Sequence, residues 1–235
     1  MDEFLRGAGV FLLYIISMAS LFLGARIFVK IPDELFRKLL HFVLLGAYIP
    51  LVFGFDIWWM AALLAAGLIG ALYPVIGLAE KLPFFSAFVN ERSRGEFKSS
   101  MILALTVMAL SCCICWGIFG DRYLVLACVY AWGVGDAFAA LIGKRFGRHK
   151  IKMPFADPHK SLEGSAAMLV TSATAVCAVL LLRGGLGVGA CVLMAMAAAA
   201  AATLTELCSK DGHDTYTCPA AAMVVLLPLI RILGG

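Results

Sequence analysis

The sequence predicts an all-α integral membrane protein, a polytopic bundle of about eight transmembrane helices. Of the 235 residues, 63% are hydrophobic and only 14% are charged, and the mean hydropathy is +0.96; soluble chains carry about 25% charged residues. The apolar residues also fall into runs of about 20, the length that crosses a bilayer. No linker rich in Pro or Ser divides these runs, so residues 1–235 are expected to form a single transmembrane catalytic domain.

Each predicted helix is one apolar run, and short links join most consecutive runs. Two longer polar segments, residues 80–98 and 144–160, interrupt this rhythm. The alanine run at residues 195–202 is assigned to the seventh helix, because small residues let helices pack closely in lipid. The helices are expected at residues 4–29, 34–54, 57–79, 99–119, 123–143, 161–182, 186–208 and 216–233.

The distribution of Lys and Arg predicts the orientation, because these residues concentrate on the cytoplasmic side of a membrane. If both termini lie outside, eight crossings leave 15 of the 19 Lys and Arg residues at or near the cytoplasmic face. These are Arg26, Lys30, Arg37, Lys38, Lys81, Arg92, Arg94, Lys98, Lys144, Arg145, Arg148, Lys150, Lys152, Lys160 and Lys210. We therefore expect both termini outside, in a multi-pass protein of a bacterial inner membrane or an equivalent membrane.

The same orientation gathers ionisable residues from five parts of the chain at the cytoplasmic face. Asp136 lies seven residues above the inner end of the fifth predicted helix, roughly 10 Å deep at 1.5 Å per residue. The others lie near helix ends or in the polar segment before the fourth helix: Arg37, Lys38, His41, Glu91, Arg92, Arg94, Glu96, Glu163, Glu206 and Asp214. This convergence predicts a functional site at the inner leaflet.

The segment 133–165 carries the strongest signal within this set. Asp136 follows two glycines inside an apolar run, and six basic residues come after it by position 160. A carboxylate at membrane depth is costly to keep and therefore indicates a functional site. A structural explanation stays open beside this one, in which Asp136 pairs with a neighbouring side chain and only holds helices together.

These residue types suit phosphoryl transfer, which needs a divalent metal, cations around the phosphate and a group that orients or deprotonates the attacking hydroxyl. Asp136 is the expected Mg²⁺ ligand, with Glu163 or Glu206 as the second carboxylate. Phosphate oxygens are expected to contact the start of the sixth helix, where Ser161 is the predicted N-cap, and the end of the fifth. The residues concerned are Lys144, Arg145, Lys160 and Ser161.

Other basic residues of the central loop have a simpler explanation. Attraction to anionic lipid headgroups is worth about 1 kcal/mol per Lys or Arg, and we assign Arg148, Lys150 and Lys152 to that role. His41 lies one turn after Arg37 on the same helix face. It is expected to contact phosphate or substrate.

Several segments resemble the polyprenol kinase family, which contains dolichol kinases, phytol kinases and CTP-dependent diacylglycerol kinases. The main signature is Gly-Asp-Ala-Phe-Ala-Ala-Leu-Ile-Gly-Lys-Arg-Phe-Gly at 135–147, followed by Lys-Ser-Leu-Glu-Gly-Ser at 160–165. Further matches in the same order are Arg-Lys-Leu-Leu-His at 37–41, Gly-Glu at 95–96 and the segment 214–219. CDP-diacylglycerol synthases are similar in the same segments.

The resemblance implies a kinase with CTP as phosphoryl donor, Mg²⁺ as metal and a lipid alcohol as acceptor, either a prenol or diacylglycerol. With the residue arguments above, it assigns catalysis to Asp136, Lys160 and Glu163 and metal binding to Asp136 and Glu163. The expected nucleotide contacts are Gly135, Lys144, Arg145, Lys160, Ser161 and Gly164. The expected contacts with substrate or phosphate are Arg37, Lys38, His41, Glu96, Glu206 and Asp214.

Two departures and two rival functions qualify the expectation. Ser161 replaces the commoner Thr and keeps a hydroxyl, whereas Thr215 replaces the usual Asn and leaves the role of that corner open.

A cytidylyltransferase acting on a lipid phosphate would share the same elements. A transporter using Asp136 as a proton or cation relay is disfavoured, because the outer helix halves hold no matching ionisable residues. Membrane lipids are the expected surroundings; no nucleic-acid partner is expected, and the sequence predicts no oligomeric state.

Overall fold

The computed structural model describes residues 1–81, 95–151, 160–209 and 212–233, apart from the side chain of Glu96. The expectations for Glu91, Arg92, Arg94, Lys152 and Lys210 lie outside the described residues. Within the described ranges every regular element is helical, as the composition predicts. The helices are α1 (Asp2–Phe28), α2 (Asp33–Phe53), α3 (Trp58–Ala79), α4 (Glu96–Ser111), α5 (Arg122–Phe146), α6 (Leu162–Arg183), α7 (Val188–Cys208) and α8 (Asp214–Leu233).

Eight helices in the described part of the chain are long and apolar enough to cross a membrane, which confirms the predicted fold class. The fifth helix extends one turn beyond the predicted end at residue 143, because Lys144 and Arg145 form its last turn. Cations are stabilised at that end of a helix by the exposed carbonyl groups. The tip of α5 is therefore a basic extension of a membrane-spanning helix.

Helix α4 continues without a break into a π-helical segment, Cys112–Ile118, and the two together form one crossing. This segment holds Cys112, Cys113 and Cys115, and all eight cysteines of the chain are free thiols. Cys112 and Cys115 are fully buried in the hydrophobic core. They act as small apolar packing residues.

The core of the molecule is a bundle of α5, α6, α7 and α8, in which α5 packs along α6 and α8 while α7 lies between α6 and α8. Helix α2 packs against α5 and carries α1 on its other side. Helices α3 and α4 form a second pair, which reaches α5 through the π-helical segment. The alanines of α7 that lie three or four residues apart are buried at these contacts: Ala195, Ala198, Ala199 and Ala202.

The bundle has two chemically different ends. One end, here called the basic end, holds the starts of α2, α6 and α8 and the ends of α5 and α7. The other, here called the opposite end, holds the links at residues 54–57, 119–121 and 184–187. The excess of Lys and Arg lies at the basic end, and its predicted cytoplasmic location stays a prediction.

Candidate functional site

An ion pair between α2 and α5 lies inside the basic end. Lys38 Nζ is 2.6 Å from Asp136 Oδ2, and their side chains are 9% and 20% exposed. Asp136 is ten residues from the end of α5, about 15 Å along the helix axis. The structure thus supplies the neighbour that the structural explanation of Asp136 requires, while the carboxylate keeps an accessible side.

A second ion pair joins the start of α6 to the end of α7. Lys160 Nζ is 2.6 Å from Glu206 Oε1 and also donates a hydrogen bond to the Glu206 carbonyl oxygen. The side chains are 19% and 10% exposed. Because Lys160 precedes α6, this pair fixes the end of the central loop against α7.

The two pairs form one electrostatic unit. Lys160 acts on Asp136 as well as on Glu206, and Glu206 feels the charges of both Asp136 and Asp214. Asp214 Oδ2 accepts a hydrogen bond of 3.2 Å from Trp132 Nε1. We call this unit the polar layer; it consists of Lys38, Asp136, Lys160, Glu206 and Asp214. Four of the residues predicted to converge at this face lie in the polar layer together with Lys160: Lys38, Asp136, Glu206 and Asp214.

A second set of side chains lies one helical turn deeper, three or four residues from members of the polar layer. We call it the deep row; it consists of His41, Trp132, Thr203 and Cys218. His41 Nε2 donates to the Gly133 carbonyl oxygen at 3.1 Å, and its ring meets the Trp132 ring edge-on at 5.1 Å. The Cys218 thiol is close enough to Asp214, Glu206 and Lys160 to feel their charges. The deep row therefore lies directly beneath the polar layer.

Glu163 is engaged differently from the expectation. Its carboxylate accepts hydrogen bonds from the backbone N–H groups of Arg148 and His149, and Oε1 lies 2.7 Å from His149 Nδ1. The described contacts of Glu163 thus lead to the loop and not to Asp136. These contacts brace the loop, and a role of Glu163 in metal binding or catalysis stays a prediction.

The base of the loop is closed by backbone pairing. Lys150 and Ser161 form an antiparallel bridge, and Ile151 N–H donates to the Lys160 carbonyl oxygen at 3.1 Å. Ser161 is the N-cap of α6, as predicted, and its hydroxyl accepts from Gly164 N–H at 3.3 Å. This pairing orients Lys160 toward the bundle.

Two basic residues beside the polar layer pair with Glu34 of α2. Lys144 Nζ lies 2.6 Å from Glu34 Oε2, and Arg37 lies 2.9 Å from Glu34 Oε1. Arg145 lies over the ring of Phe146, with 5.3 Å to its centroid. These cations lie at the basic end, outside the polar layer. Glu96 begins α4, and its side chain lies outside the described residues.

The two glycines expected to contact nucleotide lie in the interface between α5 and α6. A Cβ at Gly135 would fall 2.1 Å from Ser172 Oγ, and one at Gly164 would fall 3.0 Å from the Ala139 carbonyl oxygen. Both glycines are buried. Their position explains the residue type by close helix packing, and a contact of either glycine with nucleotide stays a prediction.

A metal ion at this site would need ligands beyond the side chains that the structure describes. In the part of the chain that the structure describes, no three His, Cys, Asp or Glu side chains are arranged to hold a metal ion by themselves. Mg²⁺ bound with a nucleotide needs only one or two carboxylates, because phosphates and water supply the rest. Asp136 and Glu206 are two carboxylates that each interact electrostatically with Lys160.

No protein-family model matches the chain, and no curated protein and no solved structure matches it either. Sequence reasoning missed four residues of the site: Glu34, Trp132, Thr203 and Cys218. Helical spacing could have found them, since each lies three or four residues from a residue already singled out.

Proposed function

We propose that the protein is a CTP-dependent kinase, which transfers the terminal phosphate of CTP to the hydroxyl of a membrane lipid alcohol. The observation that carries this proposal is the polar layer. Two lysines and three carboxylates from five segments act on one another at one end of an apolar bundle. Charged side chains within membrane-spanning helices are costly and mark functional sites.

The residues divide into two roles. Lys38 and Lys160 bind phosphate oxygens of CTP, and Asp136 and Glu206 hold the Mg²⁺ that accompanies the nucleotide. The metal, when bound, neutralises charge on the phosphates. Cations at the basic end outside the polar layer raise the local concentration of the triphosphate by electrostatic attraction. These are Arg37, Lys144 and Arg145. The apolar bundle below excludes water, which would otherwise compete with the lipid hydroxyl.

The reaction forms one bond and breaks one. The lipid hydroxyl oxygen bonds to the γ-phosphorus of CTP, the bond from that phosphorus to the bridging oxygen breaks, and CDP leaves. The hydroxyl proton passes to a carboxylate of the polar layer. Phosphoryl transfer depends mainly on positioning and charge stabilisation, which paired lysines and acids supply. The proposal places this face in the cytoplasm, in keeping with the positive charge there.

The direct test is an assay of the purified protein in lipid nanodiscs. CTP labelled at the γ- or the α-phosphate is supplied with Mg²⁺ and with phytol, a long polyprenol or dioleoylglycerol in the bilayer. The proposal predicts γ-label in a lipid phosphate, together with free CDP. Transfer of α-label to lipid with release of pyrophosphate would identify a cytidylyltransferase instead. If none of these acceptors gained label from either nucleotide, the proposal would be overturned.

A further inference from the structure

Thr203 of α7 has an unusual buried hydroxyl. The residue is 7% exposed, and among the described residues its Oγ1 is one of two buried side-chain polar atoms without a hydrogen-bond partner. A buried polar atom without a partner is costly, and in native structures it calls for an explanation. A ligand that supplies the missing hydrogen bond is one such explanation.

Other threonines show that the helix itself does not force this state. A threonine inside a membrane helix can donate to the carbonyl oxygen four residues earlier. Four threonines on α4, α6 and α7 do so at 2.8 Å: Thr106, Thr171, Thr174 and Thr205. Thr203 lies two residues from Thr205 on the same helix and lacks this bond. The Thr203 hydroxyl is thus left without the hydrogen bond that these other threonines make.

The position of Thr203 indicates what that partner is. Thr203 lies three residues before Glu206 on the same helix face, about 4.5 Å deeper in the bundle. A nucleotide reaches the polar layer from the aqueous side. Under the proposed function, a lipid hydroxyl would reach it from the membrane side, at the depth of the deep row. Thr203 belongs to the deep row, and its hydroxyl is buried there without a hydrogen-bond partner.

We propose that Thr203 binds the hydroxyl of the lipid alcohol and presents it to the polar layer. This inference rests on the proposed kinase function and deepens it. Thr203 contacts the acceptor oxygen one helical turn from Glu206 on α7. The occupant is a membrane lipid with a free hydroxyl at its polar end, since an apolar tail alone leaves Thr203 without a bond.

The experiment compares Thr203→Val, Thr203→Ser and the matched control Thr205→Val in nanodiscs. Valine has nearly the shape of threonine without the hydroxyl. We expect Thr203→Val to raise KM for the lipid alcohol about 10-fold, the effect of one lost hydrogen bond, with KM for CTP unchanged. Thr203→Ser should restore the wild-type value, and Thr205→Val should not alter it. Thr203→Val should melt no lower than wild type, because it removes an unpaired hydroxyl.

A binding measurement separates this inference from the kinase proposal. Phytol, a long polyprenol and dioleoylglycerol are added to each variant, and the rise in melting temperature is recorded without CTP. A rise in wild type that shrinks in Thr203→Val supports the inference even if no phosphate is transferred, in which case only the kinase proposal fails. No rise with any of the three lipids, or an equal rise in Thr203→Val, overturns the inference and leaves water as the partner of Thr203.

Discussion

The two ends of the bundle both carry ion pairs, but the pairs differ in what explains them. At the opposite end, Asp121 is the N-cap of α5 and accepts from Tyr123 N–H at 2.9 Å. Its other oxygen pairs with Arg183 at the end of α6. Capping and the joining of two adjacent antiparallel helices account fully for this pair.

The Lys38–Asp136 pair at the basic end has no such local explanation. Asp136 lies well inside α5, where the backbone groups are already bonded, and its partner Lys38 is 98 residues away in sequence. A buried ion pair is often no more stabilising than well-packed apolar residues. Stability alone therefore does not account for two such pairs acting on one another. The comparison teaches that the place of an ion pair within its helix, more than its presence, separates architecture from a candidate site.

The largest expected effect is a loss of activity on replacing Asp136. Asp136→Asn removes a carboxylate of the polar layer, and we expect label transfer to lipid to fall by about 10³-fold. Asp121→Asn is the matched control, because asparagine is also a good N-cap and the opposite end has no role in transfer. We expect its activity within about 3-fold of wild type. Equal losses in the two variants would contradict the distinction between the ends.

A smaller effect, on the free energy of unfolding, separates the contribution of the Lys160–Glu206 pair to stability from its role in transfer. Lys160→Met leaves Glu206 buried without its partner, which should destabilise the protein by about 3 kcal/mol. The double variant Lys160→Met with Glu206→Gln removes the buried charge and should recover most of that loss. Thermal unfolding in detergent measures both changes.

The activity of the same variants shows whether the Lys160–Glu206 pair takes part in transfer or only stabilises the fold. The double variant should stay inactive although it is stable, because both phosphate and metal contacts are gone. If it regained transfer along with stability, the pair would be purely architectural. If the single variant were as stable as wild type, the pair would not be buried as described.

Much of the fold followed from sequence because membrane crossing depends on local composition. Apolar runs of sufficient length marked all eight crossings to within a few residues. The site was predictable in part for the same reason: Asp136 is conspicuous inside an apolar run, and the positive-inside pattern indicated which helix ends lie together.

The sequence could not predict which side chains pair within the site, because the pairing depends on how the helices rotate and pack. Glu163 shows this well: it opens α6 beside Lys160, yet its carboxylate turns to His149 and the loop. Gly135 was attributed to ligand access, whereas contact with Ser172 of α6 explains it. Thr203 carries no sequence signal apart from its spacing to Glu206, since its unpaired hydroxyl is visible only in three dimensions.

The central claim is that the polar layer binds a metal–nucleotide complex, and equilibrium binding of CTP tests it most directly. Labelled CTP is titrated onto wild type, Asp136→Asn and Asp121→Asn, with and without Mg²⁺. We predict saturable, Mg²⁺-dependent binding by wild type and Asp121→Asn, and binding at least about 10-fold weaker by Asp136→Asn. The absence of saturable binding by wild type, or equal affinity in all three proteins, would contradict the account.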